Sequence, residues 1–178
     1  SRIMHEYVWN ISRRVDCDIV GTVPWYPEMR NHHVACGRFF SDADMQTSAS
    51  VCVLGADVAQ ALFPLDSPLG RDVRVGEGYY RVIGVMEPRG KGVKTDETHA
   101  GARAAAHEMF IPLETAKTRY GEVLFRFRSG SRVAERVQLH EVTVKAASRE
   151  QVLQVAEAVK AVLKHHHKKK DYEVVVPL

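Results

Sequence analysis

No apolar run in this chain approaches the roughly 20 residues that a helix needs to cross a bilayer, and the N-terminal SRIMHEYVW lacks a signal-peptide pattern. The chain therefore reads as a soluble piece, and an excised extracytoplasmic domain has the same appearance. No sign of charge dominates. The formal net charge of +3 is too mild to argue for nucleic acid by itself. Cysteine is scarce as well, with Cys17, Cys36 and Cys52 far apart and no CxxC pair, so all three read as small buried side chains. A Cys36–Cys52 disulfide needs an oxidising compartment and a proximity that sequence does not supply. Nor is there a GxSxG, an HExxH, or a GxGxxG opening a helix.

What is present is enough chain for a hydrophobic core: 178 residues, 45% apolar and 26% charged, as in an ordinary globular protein. Local signals are densest from Val51 to Pro88. Val51–Leu54 reads as a buried strand that Gly55 breaks. Val58, Ala59, Leu62 and Phe63 then recur at helical spacing, with Asp57 in the first turn and Pro64 as the stop. Val73 and Val75 alternate with Asp72 and Arg74, and Gly76, Glu77 and Gly78 make a three-residue loop before a partner strand over Tyr79–Met86.

Upstream, Ile3–Trp9 and Val15–Val20 alternate as the arms of a hairpin. Pro24 and Pro27 exclude a regular central strand and leave a pinned loop that lays Trp25 and Tyr26 on the body. Ser41 caps a single helical turn. Asp42 and Asp44 therefore belong to the cap and need no metal. Residues 89–107, rich in Gly, Ala, Lys and Arg, form the best candidate for a mobile loop, and the GKGVKT within it lacks the spacing of a phosphate loop.

Downstream, Glu108–Ile111 reads as a strand, Pro112 opens a helix that Gly121 ends, and Val123–Phe127 is a half-buried strand. Leu139–Ala147 reads as a strand with Val142, Val144 and Ala146 on one face. Ser148 and Gln151 then suggest a capping box for a helix whose stripe of Val152, Val155, Ala156, Val159, Val162 and Leu163 must dock on a sheet. Tyr172–Val176 closes a strand-helix-strand unit.

Of the nine histidines, His165, His166 and His167 are consecutive, so in a helix they spread about 100° apart and cannot share one ion. His5, His32 and His33 are equally weak as ligands. Lys168, Lys169 and Lys170 complete a basic helix end that the helix dipole favours. With Arg89, Lys91 and Lys94 from the loop, these residues are the candidate partner contacts. No catalytic, cofactor or metal residue is nominated. Read without any family, the chain can also be a stand-alone module that holds an anionic ligand or nucleic acid at this basic end.

GRFFSDADM, VCVLGADVAQALFPLDSPLGRDVRVGEGYYRVIGVMEPRG, MFIPLETAKTRYG and the terminal helix with KHHHKKKDYEVVVPL together resemble the extracytoplasmic core domain of MacB-like ABC transporter permeases. That group includes macrolide exporters, lipoprotein-extracting Lol permeases and FtsX-type permeases. The resemblance covers most of the chain from about Gly21 onward. It implies an α+β fold, a mostly β Sabre-like subdomain over 21–128 packed on a partial porter-like strand-helix-strand subdomain over 139–178, with no counterpart of the first porter helix and strand before Ser1. It implies a periplasmic domain of an inner-membrane protein with no catalysis and no cofactor of its own. Its implied partners are an ABC ATPase subunit reached through the membrane part, a second permease copy, and a periplasmic adaptor or lipoprotein, with no nucleic acid.

Overall fold

A computed structural model of the chain describes residues 1–89, 107–121, 123–128, 131–136, 141–166 and 172–176. It divides into two compact units, Ser1–Lys91 with Ala104–Val142, and Gly92–Arg103 with Thr143–Leu178.

The first unit runs β1 (Arg2–Asn10), β2 (Arg13–Thr22), α1 (Tyr26–Arg30), β3 (Val34–Gly37), α2 (Asp42–Gln46), β4 (Val51–Leu54), α3 (Ala56–Leu62), β5 (Asp72–Val75), β6 (Gly78–Met86), β7 (Glu108–Pro112), α4 (Leu113–Tyr120), β8 (Val123–Arg128) and β9 (Ser131–Arg136). The hairpin of β1 and β2 forms as their alternation predicts, with Asn10 opposite Arg13. The loop after β5 is tighter than its three turn residues suggest. Val75 pairs with Gly78, so only Gly76 and Glu77 lie between the strands. β8 pairs with β9 as a separate two-stranded sheet.

Seven strands form one sheet in the order β3-β6-β4-β7-β2-β1-β5. Arg81 of β6 faces Asp72 of β5 on one side and Val51 of β4 on the other, so the long β6 joins the two ends of the row. The strands β6-β4-β7-β2-β1-β5 thereby close on themselves, which removes the free edges of this ring and leaves β3 as the edge strand of the sheet. β3 adds to the far half of β6.

Period-two alternation sorts the side chains of this ring into two cores. Met4, Val8, Val15, Cys17, Ile19, Cys52, Leu54, Val73, Val75, Tyr80, Val82, Met109 and Ile111 pack inward, and Val58, Leu62 and Phe63 of the α3 region join them. Val20, Val53 and Phe110 point the other way, into a second cluster with Tyr26, Phe40 and Met86. Of the two aromatics expected to lie on the body, Tyr26 is buried and Trp25 is half exposed.

Local signals set the helix ends. Ser41 and Asp44 form a complete capping box at the start of α2. Hydrogen bonds from Arg38 and Ser41 hold the Asp44 carboxyl down to about 2, which accounts for this aspartate without a metal. Pro112 precedes α4, and Gly121, with φ of 63°, follows it.

In the second unit, a turn of 3-10 helix over Arg149–Gln151 leads into α5 (Val152–His166). Val152, Val155, Ala156, Val159 and Leu163 lie half buried along one stripe, but Val162 is exposed and no residue of the helix is fully buried. The strand-helix-strand expectation fails here. Among the described residues neither 141–146 nor 172–176 is a strand. Alternation fixes which way side chains point, whereas a strand also needs a neighbour to take its backbone hydrogen bonds. Glu141, which still belongs to the first unit, exchanges backbone hydrogen bonds with Ser1 and pairs through its carboxylate with Arg30.

Candidate functional site

Polar side chains gather where β6 ends and β7 begins. Arg89 Nη1 lies 3.0 Å from Glu108 Oε2, and Arg89 Nη2 donates to the Tyr26 hydroxyl at 3.4 Å. Burial pushes the Glu108 carboxyl up against the opposing pull of Arg89. His32 closes the group, with its Nε2 2.8 Å from the Glu87 carbonyl and its ring edge-on to Phe110. Arg89, one of the candidate partner contacts, holds a carboxylate and a phenol within its own chain while its side chain stays partly exposed. The pair ties the two ends of the 89–107 segment together. Lys91, Lys94 and the GKGVKT run lie outside the described residues.

A second polar group sits across β1 and β2. His5 Nδ1 is 2.7 Å from Asp18 Oδ1, its direct cross-strand neighbour, and Nε2 is 2.8 Å from Asp16 Oδ1. With a carboxylate at each nitrogen, the imidazolium form can donate twice. The bond to Asp18 leads in raising the His5 pKa, against some desolvation. A raised histidine stabilises the fold fully below its unfolded value of about 6.5, and that contribution disappears as pH rises through the folded value. The urea midpoint should therefore fall between pH 6 and pH 8 more in the wild type than in His5→Gln. Parallel lines for the two proteins would remove this role.

The arrangement offers no activated nucleophile among the described residues. Cys17 and Cys52 are buried, and burial pushes both thiols well up, away from the reactive thiolate. All three cysteines are free. Cys36 is exposed on β3, which flanks β6 on the side opposite β4 and Cys52. Two inter-strand steps, roughly 10 Å, exceed the reach of a disulfide. Among the described residues no three His, Cys, Asp or Glu side chains could hold a metal ion. His165 and His166 end α5 with exposed rings 5.0 Å apart at 90°, while His167, Lys168, Lys169 and Lys170 lie outside the described residues.

One group of exposed and half-buried residues escapes a reading by segments. On the outward face of the ring, the register sets Tyr79, Arg74, Trp9 and Arg14 side by side across β6, β5, β1 and β2. The Arg14 guanidinium lies 5.2 Å from the Tyr7 ring centre and 5.6 Å from that of Trp9, and Arg74 lies 5.4 Å from Trp9. The available signal was in β1 itself. It carries apolar residues on both faces, Met4 and Val8 inward and Ile3, Tyr7 and Trp9 outward, where a half-buried strand ordinarily turns polar.

Comparison with known proteins gives a consistent picture. The model of a family described as MacB-like periplasmic core domain matches residues 2–162. The chain is 28% identical over 149 residues to the macrolide export ATP-binding/permease protein MacB of Nitrosomonas europaea, covering 83% of the chain and 20% of that protein. It is 31% identical over 160 residues to MacB of Rhodospirillum rubrum, covering 88% and 21%. The chain thus spans about a fifth of the length of these curated relatives. Among solved structures, the extracellular domain of the noncanonic ABC-type transporter YknZ from Gram-positive bacteria superposes with a TM-score of 0.69 at 22% identity, over 98% of this chain and 78% of that one. The periplasmic region of MacB from Actinobacillus actinomycetemcomitans gives 0.67 at 18%, over 98% and 69%.

Proposed function

The chain belongs to the MacB-like periplasmic core domain family, and from that premise we propose that this extracytoplasmic domain of an inner-membrane ABC permease passes ATP-driven motion of the membrane helices to a cargo or partner protein. The observation that carries the reading is the closed ring of strands filled by an inner core and backed over β2, β4 and β7 by a second cluster, a body that can be displaced as a unit without the ring unzipping. In family terms, 21–128 is the mainly Sabre-like body and 139–178 belongs to the porter-like part. ATP hydrolysis belongs to a separate part of the transporter, and the domain contributes no catalysis. A second permease copy and a periplasmic adaptor or lipoprotein are the partners that this mechanism calls for.

Spin labels in the full-length transporter test it, with Cys36 replaced by serine. A label at Glu77 in each of two permease copies should change its separation between nucleotide-free and ATP-trapped states. A Glu77–Asp66 label pair within one copy should stay fixed, because the two sites ride on one body. An unchanged separation between copies, or a changing one within the domain, would sink the proposal.

A further inference from the structure

The outward face of β1 and its neighbours is built like a contact surface and stands largely exposed among the described residues. Tyr7 is 47% exposed, Tyr79 62% and Ile11, at the hairpin turn, 96%. Tryptophan, tyrosine and arginine are the residues in which interface energy concentrates. The carboxylates on this face are already committed. Asp16 is held by His5, and Asp72 is held by Arg81 through two bonds of 2.7 and 3.2 Å. Among the described residues no carboxylate faces Arg14 or Arg74, whose recorded contacts are with the aromatic rings. A guanidinium stacked on a ring keeps its N–H fork free and loses little freedom when a carboxylate docks in it.

We propose that this face docks an acidic polypeptide segment of a partner protein, with carboxylates taken by Arg14 and Arg74 and apolar side chains laid over Tyr7, Trp9 and Tyr79. Arg14 and Arg74 flank β1 on either side, so the two carboxylates sit roughly 10 Å apart, two strand spacings. Single-stranded nucleic acid fits less well, because stacking needs a bare ring and arginines from both neighbouring strands already cover Trp9. A second copy docked symmetrically would set arginine against arginine. A lipid surface would take up a protruding apolar tip; on this face Ile11 is the most exposed apolar residue among those described, while Trp9 is held between Arg14 and Arg74.

The inference rests on the reading that the domain engages a partner, and its test is separable from that reading because it measures binding and not transport. The chain has two tryptophans, Trp9 and Trp25, so Trp25→Phe leaves Trp9 as the reporter. Short poly-L-glutamate titrated into the 178-residue chain at low salt should change Trp9 fluorescence saturably. Combining Arg14→Gln with Arg74→Gln should weaken binding roughly tenfold, and Tyr79→Ser should weaken it independently. Lys160→Gln with Lys164→Gln removes the same charge from α5 and should leave binding unchanged. The inference is overturned by a silent Trp9, by equal loss in the two double variants, or by a response to phosphatidylglycerol vesicles without one to the peptide. Peptide binding confirmed beside a Glu77 separation between copies that ATP leaves unchanged would keep the surface and remove the transmission reading.

Discussion

Gly84→Val should unfold or nearly unfold the protein, with a loss of about 3 kcal/mol or more. Gly84 sits in the middle of β6, paired with Val53 on one side and Gly37 on the other. A Cβ at this position would lie 2.3 Å from the Arg38 carbonyl oxygen and 3.1 Å from its carbonyl carbon. Those are backbone atoms, so no side-chain rotation relieves the overlap. Moving β3 away would break its ladder and pull Arg38 from the Asp44 cap. Gly37 sits under the same constraint, since a Cβ there would meet the Ile83 carbonyl at 2.3 Å with φ at +77°. Urea denaturation followed by far-UV circular dichroism reads the loss directly. A midpoint close to wild type would mean that β3 and β6 do not approach as closely as described.

Phe110→Ala should cost about 3–5 kcal/mol, the usual range for emptying a fully buried aromatic site. Phe110 is fully buried, with its ring centre 5.1 Å from Tyr26, 6.2 Å from Phe39 and 6.4 Å from His32. Its neighbours Met109 and Ile111 point into the other core, so the lesion has a side. Hydrogen exchange should accelerate in α1 and α2 before it does in the hairpin of β1 and β2. Uniform loss of protection across both would show that the two cores melt as one, contrary to expectation.

Much of this architecture was legible because its causes are local. The Ser41 box, the proline and glycine that bracket α4 and the alternation of β5 each lie within a few residues of the element they define. Closure of the sheet was not legible, since pairing Val8 with Val75 or Asp18 with Glu108 depends on contacts far apart in sequence. The candidate site suffered most from this. The pairing of Arg89 with Glu108 was not visible until β7 placed that carboxylate against it. Trp9 looked like an ordinary strand residue until β5 brought Arg74 alongside. The segment around Val142 differs the other way, with an alternating pattern but no strand over its described residues 141–146.

The position of β7 between β2 and β4 sets an order of events during biogenesis. Until residue 112 has emerged, neither of those strands has its second neighbour, and the hairpin at the start of the chain has its inner face, Met4, Val8, Val15 and Ile19, without a finished barrel. A domain delivered across a membrane segment by segment spends that interval exposed to wrong pairings and to whatever chaperones the far side provides. The folding clock starts with the arrival of β7, however early the first hairpin can form.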